Sequence, residues 1–162
     1  MLEQLLTLVK EQAQELIVKN TAVPNEHNEA VMGDVARVIQ EKLGQAIGSG
    51  KIADVMDLFK NGAAVQNPVV QQIIAGLEPQ LAKYGISKES AASIATTLIP
   101  RIMEQFVNKT NDSTNSQFNL NDILKSAGGK DGIDLGGIAG NLLNGDLGKS
   151  DVGKLIGGFF GK

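Results

Sequence analysis

Apolar side chains recur at intervals of three and four residues through the first 107 positions, and apolar–polar alternation never persists. That spacing stacks them on one face of a helix, whereas a half-buried strand needs a period of two. A chain built of such runs buries its apolar surface by packing helix on helix. The expected fold is therefore all-α, a multi-helical bundle.

Five runs follow one another. The first carries Leu2, Leu5, Leu6, Val9, Ala13, Leu16 and Ile17 and ends near Asn20. Asn25 or Asn28 is placed to cap the second, whose inward residues are Val31, Val35, Val38, Ile39, Leu43, Ala46 and Ile47. Gly48-Ser49-Gly50 stops it. A short third helix over 51–60 buries Ile52, Val55, Met56 and Phe59 and closes at Asn61-Gly62. Asn67-Pro68 opens the fourth, with Asn as cap and Pro at the first helical position. Its apolar face is Val69, Val70, Ile73, Ile74, Leu77 and Leu81.

Residues 84–87 predict a tight corner. Gly85 takes the left-handed position after the helix, Ile86 packs back on Leu81 in a Schellman motif, and Ser87 caps the fifth helix, with Glu89 in its first turn. That helix carries Ala91, Ile94, Ala95, Leu98, Ile102, Met103, Phe106 and Val107. It is the most apolar and is expected to be the central one. Pro79 and Pro100 lie inside helical runs, where a missing amide and a ring clash should kink or divide them.

The composition shifts after residue 107. Residues 108–117 are all polar, which predicts a linker or surface loop between a helical core at 1–107 and a C-terminal segment at 118–162. Residues 127–162 hold 12 of the 19 glycines, with four basic charges against four acidic ones. Twelve glycines inside helices would cost on the order of 10 kcal/mol relative to Ala. This segment is therefore expected to be short helices or disorder unless something covers it. Apolar residues at offsets of zero, three and seven recur in it: Leu120/Ile123/Ala127, Leu135/Ile138/Leu142 and Val152/Leu155/Phe159. The third helix has the same pattern in Ile52/Val55/Phe59.

The chemistry-bearing residues are few. There is no Cys, which excludes disulfides, thiolate metal sites and thiol catalysis, and a single His excludes multi-His sites. Five Phe, one Tyr and no Trp leave little for stacking bases or sugars. A net charge of −3 argues against a nucleic-acid binder. Two stretches imitate a phosphate loop. Residues 44–51 end in Gly-Ser-Gly-Lys one residue too long, with Ile52 where Ser or Thr is needed; residues 147–150 have Leu143 where the first Gly belongs. Two others imitate calcium loops: 128–134 with shifted ligands, and 142–153 with Leu142 and Gly153 at the two essential oxygen positions. His27 stands at a helix start with Asp34 two turns on, and reads as an exposed residue without a nucleophile beside it. Asn108-Lys109-Thr110 and Asn111-Asp112-Ser113 fit the glycosylation triplet. No catalytic, cofactor-binding or metal residue is expected, and no cofactor.

Residues 67–103, NPVVQQIIAGLEPQLAKYGISKESAASIATTLIPRIM, resemble the YidB-like family, bacterial domains of unknown function. NKTND at 108–112, FNLNDIL at 118–124 and the ending GGFFGK are similar to its longer members. The resemblance implies a multi-helical, all-α bundle of bacterial origin and brings no catalytic residue with it.

The expected function is that of a non-enzymatic helical scaffold or adaptor working through protein–protein contact. Leu155, Ile156, Phe159 and Phe160 are the candidate contact residues, because they are apolar and flanked by the spaced glycines 153, 157 and 161, which allow close approach. The partner would be another protein or a second copy. The alternative is a peripheral membrane-surface protein using residues 151–162 as an amphipathic anchor, although Lys154 and Lys162 are few and Asp151 opposes them. The N-terminus has no basic leader and Glu3 interrupts its apolar start, so a cytoplasmic setting is expected.

Overall fold

The computed structural model describes residues 1–62, 65–112, 114, 115 and 118. Among them are five α-helices and no strand: α1 (Leu2–Ala13), α2 (Asn28–Gly48), α3 (Ile52–Asn61), α4 (Pro68–Ala82) and α5 (Lys88–Asn111). The all-α reading holds.

Four helices close a ring. α1 packs on α2, α2 on α4, α4 on α5, and α5 back on α1, so α1 and α4 stand on one diagonal and α2 and α5 on the other. α3 lies across α2, α4 and α5. The expected central role of α5 is therefore corrected. The core belongs to the ring, and α2 buries Val31, Met32, Val35, Ala36, Val38, Ile39, Leu43, Ala46 and Ile47 much as α5 buries its own face. Contact on three sides also widens the buried face of α3, which includes Leu58 beside Val55, Met56 and Phe59 and leaves Ile52 half-buried.

α1 runs on into a π-helical turn, Gln14–Val18. Leu5, Val9, Ala13 and Ile17 are all buried and four apart. In an α-helix each such step drifts about 40° around the axis. The wider turn counters that drift and keeps Ile17 on the core. Asn20 then ends the helix, its amide nitrogen donating to Leu16 O at 3.0 Å and its side-chain oxygen accepting from the Ala22 amide at 3.0 Å.

The capping expected from Asn25 or Asn28 does not occur. A 3-10 turn, Asn25–His27, feeds straight into α2, and His27 precedes the helix with φ −102° and ψ −3°. The extended backbone from which a side chain folds back to cap is missing there. Asn28 instead donates to Asn25 Oδ1 at 3.4 Å.

Neither proline divides its helix. Pro79 and Ala75, whose carbonyl it frees, are both exposed. Thr96, whose carbonyl Pro100 frees, is also exposed, and its hydroxyl donates to Ala92 O at 2.7 Å. The freed carbonyls thus belong to solvent-exposed residues, where a missing intrahelical bond costs little, while the buried faces of α4 and α5 pack both helices on the core.

The left-handed Gly85 is present, with φ +76°. Its amide donates to Ala82 O at 3.2 Å, the inner Schellman bond, and the turn tightens through Tyr84 N to Leu81 O and Lys83 N to Gln80 O rather than through an outer bond from Ile86. Ile86 is buried in the same cluster as Leu81, and the Ser87 hydroxyl accepts from the Ser90 amide at 3.2 Å. Apart from its two chain neighbours, no residue places an atom within 4 Å of where a Cβ on Gly85 would sit. The conformation alone thus sets the cost of substitution. Gly85→Val is expected to destabilise by about 1–2 kcal/mol and Gly85→Asn by less, because Asn tolerates left-handed backbone. Equal losses in urea unfolding would contradict this.

α5 continues through Asn111, four residues into the stretch expected to be linker. The reason is tertiary. Thr110 is buried with its hydroxyl on Phe106 O at 2.7 Å, Asn111 Nδ2 donates to Phe59 O at 3.0 Å, and Lys109 Nζ meets Glu11 Oε2 at 3.2 Å. Phe118, the first residue of the expected C-terminal segment, is buried against Phe106 with ring centroids 6.3 Å apart.

Candidate functional site

The candidate contact residues Leu155, Ile156, Phe159 and Phe160 lie outside the described residues. So do the phosphate-loop imitation at 147–150, the calcium-loop imitations at 128–134 and 142–153, and the three C-terminal repeats of the apolar spacing.

The other phosphate-loop imitation is a helix end. Gly44 to Gly48 belong to α2, and the following amides turn back on it: Ser49 N to Gln45 O at 2.9 Å, Gly50 N to Ile47 O at 3.2 Å, and Lys51 N to Ala46 O at 2.9 Å. Gly50 has φ +79°. This is a complete Schellman closure, and it consumes the amides that a phosphate would need.

The glycosylation triplets are likewise occupied. Asn108 and Thr110 lie within α5, and Asn111 is bound to the Phe59 carbonyl. Beyond α5, Asp112 Oδ1 accepts from the hydroxyl of Thr114 at 2.6 Å and from its amide at 2.9 Å, which holds the Asp112 carboxyl below its ordinary range.

Among the described residues, one polar grouping forms where the start of α2 meets the α4–α5 corner. Asp34 projects from α2 with its side chain 15% exposed. One carboxylate oxygen accepts from Tyr84 Oη at 2.6 Å and the other from Arg37 Nη1 at 3.1 Å. His27 packs its ring on Tyr84, centroids 5.2 Å apart and tilted by 45°, with Nε2 3.5 Å from Glu26 Oε1. The partner of Asp34 is therefore Tyr84, fifty residues away, and not the His27 that shares its helix end. Helical spacing could not reveal this, because the Tyr84 side chain is brought to α2 only by the corner.

Chemically the group is a latch. Hydrogen bonding to Asp34 raises the Tyr84 pKa above the ordinary tyrosine value, burial and the Asp34 charge add to that, and Arg37 opposes it. A tyrosine used as a base or nucleophile needs the opposite shift. Here the hydroxyl is kept protonated as a donor joining two elements.

The consequence for stability has a definite sign. Tyr84 keeps its proton to higher pH in the folded chain than in the unfolded one. Its contribution is whole below about pH 10 and is lost as pH rises through the folded value. Tyr84 is the only tyrosine, so the ultraviolet absorbance of tyrosinate reports it alone. The titration midpoint is expected above the ordinary value, and Asp34→Asn should lower it. An ordinary midpoint in the unaltered chain would show that the bond is not formed.

Among the described residues no group of three or more His, Asp or Glu could hold a metal ion, and no helix is long and apolar enough to cross a membrane. A shallow cleft of about 390 Å³ opens at the turn between α1 and α2, lined by Val18, Lys19, Asn20, Thr21, Val23, Pro24 and Asn25. The Asn20 side chain there is already bonded to backbone on both sides. Buried Asn67 is likewise committed: its Oδ1 caps α4 at the Val69 amide while its Nδ2 reaches Asp54 O and Asp57 Oδ2.

No family model matches the chain, and no curated protein or solved structure matches it either.

Proposed function

We propose that this chain is a non-enzymatic helical scaffold or adaptor that acts by protein–protein contact, with its glycine-rich C-terminal segment as the contacting part. The supporting observation is where the apolar side chains are spent. Among the described residues the large hydrophobics left exposed are Leu2 and Val65. The ring of helices thus satisfies its own apolar faces, and a partner would find its apolar surface in Leu155, Ile156, Phe159 and Phe160 instead. Phe118, buried on Phe106, ties the start of that segment to the bundle. The Asp34 carboxylate is taken up by Tyr84 and Arg37, and the Asn67 amide by the Val69 amide, the Asp54 carbonyl and Asp57. The resemblance to YidB-like domains accords with this reading, since it implies a bundle and carries no catalytic residue. The proposed setting is cytoplasmic.

The test is a pull-down with the full chain and with a chain ending at residue 127. A second variant replaces Leu155, Ile156, Phe159 and Phe160 by Ala. Both are expected to keep the helical circular dichroism of the bundle and to lose the captured protein. Retention of the same partner by both would overturn the proposal. Binding of the full chain to anionic vesicles that both variants lose, with no protein captured at any length, would point instead to a membrane-surface role.

A further inference from the structure

We draw no further inference here: the strongest candidate, the return of the α3 apolar spacing at Val152, Leu155, Ile156 and Phe159 in the C-terminal segment, lies outside the described residues, and nothing in the structure shows which surface would receive it.

Discussion

Phe106→Ala is expected to lower the free energy of unfolding by about 3–5 kcal/mol, the range for deleting a fully buried aromatic side chain. Phe106 is completely buried near the end of α5. Its ring meets Phe59 of α3 at 5.9 Å between centroids and Phe118 at 6.3 Å, so one side chain fastens α3 and the chain beyond α5 to the same helix. Truncation removes the ring's transfer energy and leaves a cavity that two other aromatic residues line. Phe118→Ala, on a ring that Lys109 covers at 5.7 Å, is expected to cost less. The double variant should lose less than the sum of the two, because the edge-on pair, worth about 0.5–1.5 kcal/mol, is removed only once. Urea unfolding followed by circular dichroism measures all three. An unchanged midpoint for Phe106→Ala, or strict additivity of the pair, would show that this end of the bundle is packed differently.

Asn67→Ala is expected to cost about 2–3 kcal/mol, more than a helix cap alone. The cap accounts for about 1 kcal/mol, through the 2.9 Å bond from the Val69 amide to Asn67 Oδ1. The rest comes from the other end of the amide, which donates to the Asp54 carbonyl at 3.1 Å and to Asp57 Oδ2 at 3.3 Å. Asn67 is only 4% exposed, so the Asp54 carbonyl would lose the donor it has beyond its own helix, and Asp57 one of its donors, in a site that water reaches poorly. Asn67→Asp separates the two effects. It keeps the capping oxygen, removes the donor, and sets a carboxylate against Asp57. If the residue were a simple cap, Asp would be as good as Asn. The Asn67→Asp chain is expected to be markedly less stable, and to recover in part when Asp57→Asn is added. Equal stability of the Asn67→Asp and unaltered chains would reduce Asn67 to a cap.

Local patterning was enough for the helices themselves. Asn67-Pro68 and the six apolar positions of α4 are found as the spacing predicts, as are Gly85 with its positive φ and Ser87 as the cap of α5. These features depend on neighbours within one or two turns, and a sequence displays such neighbours directly. Tertiary contact decided the rest. It carried α5 through Asn111, because a polar turn that reads as linker finds Phe59 O, Glu11 and a buried place for Thr110. It let Pro79 and Pro100 stand inside unbroken helices, because the faces opposite them are held by the core. It placed Tyr84 on Asp34 and Asn67 on Asp54, pairings fifty and thirteen residues apart that no periodicity encodes. It also made the core a ring shared by four helices instead of the property of α5 alone. The physical reason is common to all four. A hydrophobic period tells a helix which face to bury but not against what, and the polar groups beside that face take partners only after the packing has brought them within hydrogen-bond reach.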